Sequence, residues 1–117
     1  MTLNLRDAIL NADDTPRKAV EVPEWGITVY VRTMSARDRD ALEFAAIAAR
    51  EEGSTVDNVR ARYAVACIVD EAGKRVFTDE DIALLGDKSG AALDRIYQAI
   101  AELNRIMPGD IEAAAKN

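Results

Sequence analysis

The alternation of apolar and polar residues changes period twice along this chain, and the changes divide it into elements. Leu5 and Ile9 fall on one side of a short helix expected over Leu3–Asn11, with Thr2 as its N-cap, and Asp13-Asp14-Thr15-Pro16 breaks it. From Lys18 the period becomes two. Val20 and Val22 alternate with Ala19 and Glu21, and Trp25, Ile27, Val29 and Val31 alternate with Gly26, Thr28, Tyr30 and Arg32. Pro23-Glu24-Trp25-Gly26 separates the two runs, so the pattern predicts a β-hairpin over 18–33. Two strands alone are marginal in water, so the hairpin must lay its apolar face on helices.

Helical spacing then takes over. Ser35 caps a helix to Glu52 in which Leu42, Ala45, Ala46 and Ala49 recur on one face, and Gly53 ends it. Thr55 is read as the cap of a further helix carrying Val56, Val59, Tyr63, Ala66 and Cys67. That helix is drawn to about Val69, although Val65–Val69 also suits a strand and Asp70-Glu71-Ala72-Gly73 a hairpin turn, so 63–77 is either helix plus turn or a second hairpin. Arg75-Val76-Phe77 reads as extended. Thr78-Asp79-Glu80-Asp81 starts a short helix that turns Ile82 and Leu85 inward and closes at Gly86. The strongest periodic signal is Leu93, Ile96, Tyr97, Ile100, Leu103 and Met107, a long amphipathic helix over about 89–106 that Pro108-Gly109 terminates. The expected fold is α+β and mostly α: four to five helices with one small hairpin, in a single domain over 1–117 whose C-terminal end is flexible from about 108.

Composition narrows what such a domain can do. Hydrophobic residues make up 49% of the 117 positions, yet aromatics are only 5% and alanine dominates the rest, so the core is thin. The net charge of −6 is spread evenly. Residues 1–52 hold 7 basic and 10 acidic side chains, leaving 8 and 11 for the remainder. No basic block is present to neutralise phosphates, which argues against nucleic acid and anionic membrane as partners. The N-terminus has neither the charged leader nor the apolar run of a signal peptide, and no stretch approaches the ~20 apolar residues of a membrane span. A single cysteine, Cys67, excludes an intramolecular disulfide and suits a reducing cytoplasm.

Chemistry is sparse. The absence of histidine removes the commonest general base and the Ser-His and Cys-His nucleophilic arrangements. Cys67 lies on an apolar stripe, where a thiol is core rather than nucleophile. Gly86-Asp87-Lys88-Ser89 only superficially matches a phosphate loop, because Asp87 splits the Gly-Lys pair. Asp70–Lys74 lacks the oxygen ligands of a calcium loop, and Asp79, Glu80 and Asp81 are explained by helix capping. No catalytic residue, metal or cofactor is expected. Protein contacts are the remaining possibility, and Trp25 leads them: it either closes the hairpin over the core or anchors a partner. Tyr30 and Arg32, on the opposite strand face, mark a second contact surface, and Met107 extends the helix stripe beyond what a small core needs.

Val20-Glu21-Val22-Pro23-Glu24-Trp25-Gly26 running into Val29–Thr33, then Asp70-Glu71 with Gly73–Ile82, then Leu85-Gly86 with Lys88-Ser89 and Ala92–Arg95, resemble the tail assembly chaperones of long, non-contractile-tailed bacteriophages. The likeness covers about residues 3–104, and Ile106–Asp110 departs from it. The resemblance implies a non-catalytic protein that binds the tape-measure protein, helps recruit tail tube protein subunits, forms a homo-oligomer in the host cytoplasm and is absent from the mature virion. It also implies a longer form made by ribosomal frameshifting. The competing expectation is a small regulatory adaptor or antitoxin-like protein with one protein partner.

Overall fold

Three antiparallel strands and five helices form the chain in the computed structural model, which describes residues 4–105. Strand β1 (Arg17–Val22) pairs with β2 (Ile27–Arg32) from Arg17↔Arg32 to Val22↔Ile27, and with the short β3 (Ile68–Val69) the sheet order is β1-β2-β3. Four helices follow α1 (Leu5–Leu10): α2 (Ala36–Glu51), α3 (Val59–Cys67), α4 (Ile82–Gly86) and α5 (Gly90–Asn104). The α+β, mostly helical class read from the sequence is therefore the observed one.

The hairpin lies on α5, as its one-sided apolar pattern requires. Val22, Val29 and Val31 are buried against Leu93, Ile96 and Ile100 of α5 and Val65 and Cys67 of α3. Ile96 and Ile100 are fully buried, each contributing about 1.5–3 kcal/mol of transfer free energy. Alanine has a use here: Ala61, Ala64, Ala92 and Ala99 are buried in this core, and their small side chains let α3 and α5 approach closely. Ser89 caps α5 by accepting from the Ala92 amide at 3.2 Å, close to the expected start of this helix near residue 89.

Several boundaries differ. Helix α3 stops at Cys67, two residues before the expected end, and Ile68-Val69 becomes strand β3 on β2 with Val31↔Ile68 and Tyr30↔Val69. β2 would otherwise present an open edge, and two β-branched residues satisfy it. The chain then returns through a Val69↔Arg75 bridge, so 63–77 is a helix followed by a miniature second hairpin. Helix α3 starts at Val59, with Asn58 at a left-handed φ of 49° in the capping position, not at Thr55. Asn4 caps α1 through its Oδ1 and the Asp7 amide at 2.8 Å, while Thr2 lies outside the described residues. Residues 79–81 form a 3-10 turn before α4. Helix α5 ends at Asn104, short of the expected Ile106, because Arg105 turns left-handed at φ 56°. The stop at Pro108-Gly109 and the flexible end from 108 lie outside the described residues.

Two helices stand apart from the core. Helix α1 buries nothing: its expected apolar side, Leu5 and Ile9, is 76% and 62% exposed. Helix α2 buries only Ala46 fully and is held mainly at its first turns. The Cα radius of gyration is 15.6 Å, against roughly 13 Å for a compact domain of about this size.

Candidate protein-binding groove

An open groove of about 910 Å³ runs along β2 and β3 and under α4. The hairpin turn makes one end. Trp25 and Gly26 amides both donate to the Val22 carbonyl at 3.0 Å, and Gly26 adopts φ +66°, a conformation that favours glycine. Arg95 on α5 fixes the same turn through both carboxylate oxygens of Glu24 at 2.9 Å. That hydrogen-bonded guanidinium holds the Glu24 carboxyl below its ordinary pKa. The turn thus positions Trp25 half-buried, with one side on the core cluster and the other lining the groove.

The opposite end is the β3 turn. Asp70 Oδ1 accepts from the Ala72 and Lys74 amides at 2.9 and 3.0 Å, and these donors, Lys74 first, lower its pKa. Asp70 is a turn-forming carboxylate. Val69 forms a buried part of the floor although it lies outside the main core cluster. Phe77, Val76 and Leu84 form the far wall, the last held in place by a cap in which the Thr78 amide donates to Asp81 Oδ2 at 2.9 Å. Ile27, Val76 and Leu84 are 56%, 52% and 67% exposed, so the wall is apolar surface left facing water. Lys88, Asp81 and Glu71 give the rim its charge.

Of the four contact residues named from sequence, the structure brings Trp25 and Tyr30 into this one groove rather than onto two surfaces. The strand pattern groups Ile27 with the buried Val29 and Val31, yet its place beside the hairpin turn leaves it on the groove wall. Arg32 lies elsewhere. Its guanidinium pairs with Asp38 at 3.1 Å and donates to the Ala66 carbonyl at 3.4 Å, joining β2 to α2 and α3. Met107 lies outside the described residues. Sequence reasoning missed Val69, Val76 and Leu84 as groove residues, because short isolated apolar positions carry no periodic signal.

The charged side chains lining the groove are Asp70, Glu71, Asp81 and Lys88, of which Asp70 is engaged in its own turn and Asp81 in the cap at Thr78. Cys67 is buried among α3 and β2 side chains, and desolvation pushes its thiol up to about 12, which leaves it protonated at neutral pH. Among the described residues, no cluster of carboxylates and thiol could hold a metal ion, and no helix is long and apolar enough to cross a membrane. The groove offers shape and apolar area.

Comparison with known proteins bears on what that area is for. No curated protein matches the sequence. The solved structure of the bacteriophage HK97 tail assembly chaperone shares the fold with a TM-score of 0.61 at 17% identity, over 84% of this chain and 89% of that one. The sequence also matches the phage tail assembly chaperone family over residues 4–117, nearly its whole length. The chain belongs to that family of non-catalytic assembly proteins: it is a phage tail assembly chaperone.

Proposed function

We propose that the groove between the hairpin, β3 and α4 seats an apolar helical segment of the phage tape-measure protein. In this reading many copies cover the length of that client in the host cytoplasm, associate with one another, help recruit tail tube subunits and leave before the virion is finished. The observation that carries it is the groove itself: about 910 Å³ of apolar concavity walled by exposed Ile27, Val76 and Leu84 beside Trp25. A helical client with an apolar stripe aggregates unless the stripe is covered, and helix-in-groove docking covers it.

Trp25 is the chain's single tryptophan, so its fluorescence reports on the groove directly. Titration with helical peptides from the tape-measure protein should shift its emission. Trp25→Ala, followed by calorimetry, should weaken binding by about 2 kcal/mol, a factor of roughly 30. Leu84→Asp should weaken it as well while leaving the fold intact. Unchanged emission, with no heat of binding for any tape-measure segment, would leave the single-partner adaptor as the better description.

A further inference from the structure

The groove carries its charge unevenly, and the path of the chain fixes which sign lies where. Its wall includes α4, which Asp81 precedes and Lys88 follows. Its floor runs along β2 from Ile27, beside the hairpin turn, to Tyr30, which pairs with Val69 just before Asp70 and Glu71. Two ties to α5 orient both. Arg95, in the first half of α5, holds Glu24 of the hairpin turn, and Lys18 at the far end of the hairpin reaches Glu102 near the close of α5. Lys88 directly precedes the Ser89 cap of α5, so it lies at the hairpin-turn end with Trp25. Arg17, next to Lys18, donates to the Glu71 carbonyl, so Glu71 lies at the other end. One end of the groove is therefore cationic and the other anionic. Lys88 is the only cation among the described residues that line it. Asp70 and Asp81 are engaged with backbone amides, whereas the side chains of Lys88 and Glu71 are exposed and make no ion pair among the described residues.

We infer that the groove reads direction: it takes an amphipathic helical client segment with acidic residues at one end of its apolar stripe and basic residues at the other, and seats the acidic end against Lys88. This rests on the groove reading above and adds which way the client lies. The three steps from Ile27 to Tyr30 span about 10 Å at roughly 3.3 Å per residue, and the flanking turns extend this to about two or three turns of helix. Client acid and base should therefore stand about seven to eleven residues apart. Exposed rim pairs add little affinity, because water and salt screen them. What they fix is register, since a reversed segment brings like charges together at both ends. Subunits that all read one direction lie on a long helix in one orientation, which an apolar groove alone does not enforce.

Trp25 reports the direction, because it is the only tryptophan and stands at the Lys88 end. The probes are two synthetic peptides built on an apolar helical stripe of the tape-measure protein, one with glutamates first and lysines last, the other with that order exchanged. Each carries a nitroxide quencher at its N-terminus or its C-terminus. Quenching of Trp25 in the full chain should follow the acidic end. It should be several-fold stronger from the N-terminal label in the first peptide, and from the C-terminal label in the second. K88E and E71K should each weaken the preference, and the double reversal K88E/E71K should invert it, so that quenching follows the basic end. Both side chains are exposed, so the melting temperature should stay unchanged. Binding with equal quenching from both ends, or a preference that the double reversal leaves in place, would overturn the inference and leave the groove reading standing. Peptides that neither bind nor quench would overturn both.

Discussion

Isoleucine 100 and Cys67 show how single side chains hold this small core. Ile100 has no exposed surface, and truncation leaves a cavity that neighbouring helices only partly close. Ile100→Ala should therefore lower unfolding free energy by roughly 2–4 kcal/mol, measured by urea denaturation. Cys67 and Tyr63 supply a pH signature. Burial raises both to about 12, from ordinary values of 9.0 and 10.0, and Tyr63 also stacks edge-on against Tyr97 at 5.6 Å. Both groups lose their proton earlier in the unfolded chain than in the folded one. Their stabilisation is complete below about pH 9 and is lost as pH rises toward 12. Melting temperature should fall across that interval, and Cys67→Ala should flatten the part between pH 9 and 10. An equally steep fall in that variant would show that other groups cause it.

At the scale of elements, the connections are made by polar side chains that the apolar pattern does not mark. Asn104 is the one buried polar residue among those described. Its Oδ1 accepts from the Met34 amide at 2.7 Å, its Nδ2 donates to the Ile100 carbonyl at 2.8 Å, and its own carbonyl accepts from Arg39 at 3.0 Å. It ties the β2–α2 connection to the end of α5. Asn104→Ala would strand the Met34 amide and should cost about 1–3 kcal/mol, visible as a lower urea midpoint. Arg32–Asp38 makes a parallel tie, with Arg75 adding a 3.5 Å pair to Asp79 and a bond to the Val65 carbonyl. Gly86 illustrates a different demand. Sequence suggests a helix stop, but a Cβ there would lie 2.6 Å from Asn58 Oδ1, so any larger residue would force the Asn58 side chain out of its place at the α3 cap.

The whole molecule is a packed sheet–helix body with two loosely held helices and an apolar groove. Its binding consequence is collective. On the proposed reading each groove contact with a client would be weak, and many subunits on one long helix would add through effective concentration. Affinity should therefore climb steeply as tape-measure fragments lengthen from one groove to several, in pull-down or light scattering. Moderate salt should change it little, because apolar burial is not screened as the net charge of −6 is. Length-independent binding that salt abolishes would point to an electrostatic single contact instead.

Hairpin 18–33, the helices near 35–52 and 89–106, the buried stripe Leu93, Ile96 and Ile100, and the inert Cys67 were all legible in the sequence. Each is set by local periodicity or by a residue's own chemistry, which needs no knowledge of the rest of the chain. The absence of histidine likewise limited the chemistry before any fold was known. Tertiary structure alone decided what local preference leaves balanced. Ile68-Val69 suits helix or strand, and the open edge of β2 settles it. Trp25 and Tyr30 occupy opposite faces by strand alternation, and only the turn at Pro23–Gly26 with the folding-over of 69–88 brings them to one groove. Leu5 and Ile9 fall on one side of their helix, but remain exposed because no other element packs over them. Burial is a property of what lies opposite a residue, and that is fixed by long-range packing.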